Sequence, residues 1–155
     1  MSVSKDGIIC HGIYFEEDFQ FPWYNDEFDY DIGDWWIHEV CGFKSPVEMW
    51  DDDGQLRTDI EISKEDFKLY YDSKREFSKD HPIPVELVRT ASDSCVRYIV
   101  SVPGYKLSAS RGYPNTFDPN SLVVTDEQRE ALVEFCKKYL GVDGEPKWYL
   151  ASYWG

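Results

Sequence analysis

The sequence lacks any long hydrophobic run. No window approaches the roughly 18–20 continuous apolar residues that span a bilayer, and neither end carries a lipidation motif. The opening residues run into a short apolar stretch, Ile8 to Phe15, broken by His11 and Gly12 and closed by Glu16 and Glu17. That pattern is unlike a secretory leader. Cysteine is scarce and scattered: Cys10, Cys41, Cys95 and Cys136 have neither the density nor the spacing of a disulfide scaffold. The expectation is a soluble, cytoplasmic protein with reduced thiols.

Positive charge is also in short supply. Sixteen Lys and Arg against thirty Asp and Glu give a net charge of -14, which excludes a general binder of nucleic acid or of anionic membrane. Catalytic signatures are missing as well. There is no glycine-rich phosphate loop, no HExxH, no GxSxG and no Ser-x-x-Lys. Carboxylate pairs for acid–base work are so numerous that none stands out. The sequence therefore points away from an enzyme and implies no cofactor.

Aromatic residues are abundant, at 17% with six Trp, eleven Tyr and nine Phe, and 42% of the chain is hydrophobic. A chain of 155 residues with that composition folds, and it has room for one domain and one sizeable core. The charge is concentrated. Between Glu16 and Asp66 seventeen acids face Lys44, Arg57 and Lys64, so this third of the chain carries the whole net -14, while the remainder is neutral. The same segment holds Trp23, Trp35, Trp36 and Trp50.

Local patterns predict the elements. Gly7 to Phe15 is apolar on both faces, as in a central covered strand. Ser63 followed by Asp66 predicts a helix start, with Phe67, Tyr70, Tyr71 and Phe77 as its apolar stripe before Pro82. Pro84 to Thr90, Cys95 to Val102 and Tyr105 to Arg111 read as strands of an antiparallel meander, joined across Ser92-Asp93-Ser94 and Pro103-Gly104. Thr125 and Gln128 form a capping box. Behind it Leu132, Phe135, Cys136, Tyr139 and Leu140 recur at helical spacing, and Lys137, Lys138 and Gly141 complete the C-terminal end. A last strand follows Pro146. The expected fold is α+β in a single domain, 1–155: an antiparallel or mixed sheet of four to five strands, possessing two main helices packed on it, with residues 16–66 as an acidic, Trp-rich insertion.

Three site chemistries compete with ordinary structural roles. The acidic runs Asp29-Tyr30-Asp31 and Asp51-Asp52-Asp53-Gly54 evoke calcium loops, but the register fails. Gly54 at the sixth position puts Met49 first and Ile60 twelfth, and Gly33 there puts Phe28 first. Zinc on His38, Cys41, Cys10 and His11 fails because adjacent strand residues point to opposite faces; Cys95 and Cys136 read as core. Ser108, Ser110, Arg111 and Tyr113 could hold a phosphate or carboxylate through the Arg fork and the hydroxyls, against the alternative that Arg111 pairs with the protein's own acids.

The sequence reading that follows is a non-enzymatic acidic interaction protein, an inhibitor that blocks the basic, nucleic-acid-binding groove of a partner protein. Asp29, Asp31, Asp51, Asp52 and Asp53 supply its charge, and Trp23 and Trp50 its anchors. It resembles, in composition alone, phage-encoded inhibitors of restriction and CRISPR systems. The alternatives are a small-ligand or nucleotide-binding protein using Ser108, Ser110, Arg111 and Tyr113, and a small enzyme or immunity-type protein.

Overall fold

A computed structural model describes residues 5–24, 31–51, 55–92, 95–104, 107–110 and 112–154. The chain divides into two compact units, Met1–Asp26 with Pro84–Gly155, and Glu27–Ile83. In chain order the elements are β1 (Lys5–Phe15), α1 (Ile32–Trp35), a π-helical turn (Trp36–Val40), α2 (Lys64–Asp80), β2 (Glu86–Ser92), β3 (Cys95–Ser101), β4 (Leu107–Ala109), a 3-10 turn (Pro119–Ser121), α3 (Asp126–Leu140) and β5 (Lys147–Trp154). Among the described residues the architecture is α+β, with a five-stranded mixed sheet and three α-helices rather than two.

The first unit holds the sheet, in the order β3-β2-β5-β1-β4 with an additional β3–β1 pairing. β1 makes this possible because it is long. One edge pairs with β5 from Lys5↔Trp154 to Gly12↔Lys147, and the other pairs with β4 around Ile8↔Ser108 and with β3 from Gly12↔Ser101 to Phe15↔Tyr98. A short parallel pairing, Ala91↔Tyr153 and Ser92↔Trp154, joins β2 to β5, so β1, β3, β2 and β5 form a closed circuit.

Side-chain alternation then sorts the two faces. Ile8, Cys10, Val88 and Ile99 meet inside the circuit, flanked by Tyr14, Tyr149, Ala151 and Tyr153. On the opposite face Ile13, Phe15 and Val100 are buried, and α3 packs against β3. Leu132, Phe135 and Cys136 form the buried stripe of α3, each aliphatic or aromatic side chain contributing about 1.5–3 kcal/mol on burial. Its capping box and left-handed Gly141 stand where the residue pattern places them.

Two expectations about this unit need correction. β3 and β4 are not paired as a hairpin: both run antiparallel to β1 along one edge, β3 reaching Gly12↔Ser101 and β4 starting at Ile9↔Leu107. Pro103, lacking an N–H, and Gly104, at φ 77°, suit a loop out of a ladder as well as a hairpin turn. Cys95 is half-buried rather than core, and its thiol donates to Glu17 Oε2 at 2.5 Å. In β5 the Tyr149, Ala151 and Tyr153 side faces the core, while Leu150 lies in solvent.

The second unit has its own core, so α2 is not explained by packing on the sheet. Ile37, Phe43, Met49 and Tyr70 are its buried residues, with Trp36, Val47, Ile62, Phe67 and Phe77 around them. Tyr71 leaves the expected stripe and is exposed, because Phe67, Tyr70 and Phe77 already span the inward face. The Ser63–Asp66 capping box starts α2. At its end His81 stacks on Phe77 at 4.0 Å. The boundaries also differ from 16–66, since residues 16–24 belong to the sheet unit and α2 to the other.

Candidate interaction surface

The acidic residues with a described position fall in both units. In the sheet unit Glu16, Glu17 and Asp18 are exposed; in the other unit Asp31, Glu39, Glu48, Asp51, Asp59, Glu61 and Glu65 are exposed. Part of this charge is balanced locally. Arg57 donates to Asp59 at 2.6 and 3.0 Å and to Glu48 at 3.4 Å. The hydrogen bond from Arg57 and its charge hold the Asp59 carboxyl below its ordinary value. Lys74 pairs with Asp34. Burial works against the Lys74 charge, yet the Asp34 hydrogen bond and charge outweigh it and raise the Lys74 pKa.

The described stretches Met49–Asp51 and Gln55–Arg57 pair antiparallel as two short arms. Their root is Met49, fully buried, whose carbonyl accepts from Arg57 N at 2.9 Å. Trp50 and Leu56 form an antiparallel bridge above it. Asp51 joins the two arms twice: its N–H donates to Gln55 O at 2.9 Å and its Oδ1 accepts from Gln55 N at 2.7 Å. The carboxylate is therefore both a brace between the arms and a surface charge. Trp50 rests one edge against Tyr70, with ring centroids 6.3 Å apart, and remains 42% exposed. A half-exposed indole on these braced arms, with exposed Glu48, Asp51 and Asp59 in the same stretch of chain, can enter an apolar slot while the carboxylates meet cations.

The other sequence candidates distribute as follows. Asp31 is exposed and caps α1, accepting from Asp34 N at 2.8 Å. Trp23 is only 1% exposed, stacked on Phe21 at 4.7 Å within the Phe15, Phe19, Phe21 and Tyr98 cluster. It is a core residue, and its expected role as a surface anchor does not hold. Asp29, Asp52, Asp53 and Arg111 lie outside the described residues. Ser108 is on β4 and its carbonyl accepts from Asn115 Nδ2 at 3.1 Å, while Ser110 O accepts from Tyr113 N at 3.0 Å around Gly112. Tyr113 is 78% exposed.

Sequence reasoning missed a titratable cluster in the second unit. Tyr70 Oη lies 3.3 Å from His38 Nε2, and Lys74 sits over the Tyr70 ring and on Asp34. Burial, with Lys74 nearby, lowers the His38 pKa. The open groove of about 460 Å³ in this unit is lined by Gly42, Phe43, Lys44, Ser73, Glu76, Phe77, Lys79 and Asp80, and none of the cluster opens into it. The missed contributor at the surface is Arg57, marked in the sequence by being the one cation between Lys44 and Lys64.

Cys10 and His11 take opposite faces of β1, Cys10 in the inner cluster and His11 against Trp148 at 4.9 Å. Among the described residues no group of three or more His, Cys, Asp or Glu is placed to hold a metal ion, and no described helix is long and apolar enough to cross a membrane. No known protein family, curated protein or solved structure matches the chain.

Proposed function

We propose that this protein is a non-enzymatic inhibitor that binds in the cytoplasm to the basic, nucleic-acid-binding groove of a partner protein, in the manner of phage-encoded anti-defence and anti-CRISPR proteins. The observation that carries the reading is the pair of arms Met49–Asp51 and Gln55–Arg57, where Trp50 stands half in solvent beside exposed carboxylates. Carboxylates steer a cationic groove into contact at long range, and a desolvated indole lengthens the life of the complex once formed. The net charge of -14 supports the same reading, since crowding like charges costs stability that a binding role repays.

The test is capture of partners from cell lysate on the immobilised protein at low and high salt, with and without added nucleic acid, identified by mass spectrometry. The expected result is a nucleic-acid-binding protein retained at low salt, lost at high salt and displaced by the nucleic acid. Trp50→Ala reduces its recovery at least about tenfold. Retention indifferent to salt, nucleic acid and Trp50 overturns the proposal.

A further inference from the structure

In the sheet unit two tyrosines from distant parts of the chain meet through their hydroxyls. Tyr98 stands on β3 opposite Phe15 of β1, and Tyr24 ends a turn in which its N–H donates to Phe21 O at 3.1 Å. The ring of Phe21 meets both edge-on, with centroids 5.6 Å from Tyr98 and 6.3 Å from Tyr24. Held against that common neighbour, Tyr24 and Tyr98 have ring centroids 6.0 Å apart and planes inclined at 42°, and their hydroxyls share a hydrogen bond. Tyr24 is 42% exposed and Tyr98 is half-buried, so solvent reaches the pair while the aromatic cluster holds its geometry.

We propose that Tyr24 and Tyr98 form an oxidative cross-link site, joined as dityrosine by a one-electron oxidant of the haem-peroxidase class working with hydrogen peroxide. Each phenol gives one electron and one proton to the oxidant and becomes a phenoxyl radical. The two radicals pair to form a bond between ring carbons ortho to the oxygens, and the hydrogens on those carbons move as protons to the oxygens, restoring both phenols. Two hydrogens leave the protein in all, and hydrogen peroxide takes them up as two molecules of water. Coupling needs ortho carbons of the two rings side by side, and a hydrogen bond between the hydroxyls sets the ortho carbons of each ring next to that contact. Two other tyrosine pairs come close without this feature. Tyr14 and Tyr149 have centroids 6.2 Å apart, but the Tyr14 hydroxyl donates to Glu16. Tyr70 and Tyr71 are 5.2 Å apart, but Tyr70 is buried and its hydroxyl meets His38. The cross-link ties the segment after β1 to β3, across a sequence separation of 74 residues.

Treatment of the dilute, purified chain with a haem peroxidase and hydrogen peroxide tests the proposal, read on the gel-filtered monomer by dityrosine fluorescence, intact mass and peptide mapping. The expected product is a monomer lighter by two hydrogens, in which the peptides that hold Tyr24 and Tyr98 are joined. Tyr24→Phe and Tyr98→Phe are each expected to lower the monomer's dityrosine fluorescence at least about tenfold, because fixed geometry is what favours this pair over random encounter. Tyr71→Phe and Tyr113→Phe, at exposed sites, are expected to leave it unchanged. If a variant of the pair fails to fold by circular dichroism, the peptide map of the wild-type monomer decides. A monomer that gains no dityrosine, a linkage mapped to other tyrosines, or fluorescence that persists in a folded variant of the pair overturns the proposal.

Discussion

Gly12 and Val100 approach so closely that a Cβ on residue 12 would lie 2.2 Å from the Val100 carbonyl oxygen and 2.9 Å from Ile99 Cγ2. The contact occurs where β1 meets β3 and β5 at once, through Gly12↔Ser101 and Gly12↔Lys147. Backbone cannot yield there as a flexible side chain would. Gly12→Ala is therefore expected to cost more than about 3 kcal/mol and to lower the melting temperature by roughly 6–12 °C. Gly7→Ala on the same strand is the control, expected to be close to neutral. Equal melting temperatures for the two variants would remove the close approach from the account.

His11 is 4% exposed, and its two ring nitrogens have no hydrogen-bond partner among the described residues. Burial, and then the charge of Arg129, lower its pKa in the folded state. The unfolded chain then binds the proton more readily, so the stabilising contribution is complete above the unfolded value of about 6.5 and is lost as pH falls from there to the folded value. Urea midpoints at pH 7.5 and pH 5.5 (about one unit either side of that value) should show this loss, and His11→Phe should reduce the difference. His38 shifts in the same direction and leaves a residual. An unchanged difference in His11→Phe contradicts the assignment.

Both long helices begin with reciprocal caps, Ser63 with Asp66 and Thr125 with Gln128. Ser63→Ala and Thr125→Ala should each destabilise by about 1 kcal/mol, from the loss of a bond to an end N–H. Tyr71→Ala, at an exposed site, should fall within about 0.5 kcal/mol of wild type. Denaturant titration reads all three.

The thiols should divide by burial. Cys10 and Cys136 are buried, and burial pushes the Cys136 thiol up to about 12. Only the thiolate reacts appreciably. An aromatic disulfide reagent near neutral pH should leave both unmodified in the folded protein and reach both in denaturant, as read by peptide mass spectrometry. Modification of Cys136 at comparable rates in the two states would contradict its enclosed position.

Local signals were legible in the residues and non-local ones were not. The caps of α2 and α3 sit within three residues of their partners, so Ser63, Asp66, Thr125 and Gln128 announce them. The β1–β3 pairing joins residues far apart in the chain, and Pro103-Gly104 serves a hairpin or a looped-out ladder equally well. Trp23 and Trp50 are alike in composition and in acidic surroundings, yet one stacks inside a phenylalanine cluster and the other leans on Tyr70 with an edge in water. Which tryptophan is available is decided by what the chain brings to it. Asp51 was legible as charge, but its bond to Gln55 N appears only in the folded chain.

That double role of Asp51 permits a clean separation of charge from shape. Asn at residue 51 keeps an oxygen for the Gln55 N–H and removes the charge, whereas Ala removes both. The most direct test is the dissociation constant for the captured partner over a salt series, for the wild-type chain and for Asp51→Asn combined with Glu48→Gln. The expected result is affinity that falls steeply with salt in the wild type and less steeply in the variant, with the fold unchanged by circular dichroism. Identical salt slopes would contradict the claim that these carboxylates drive docking.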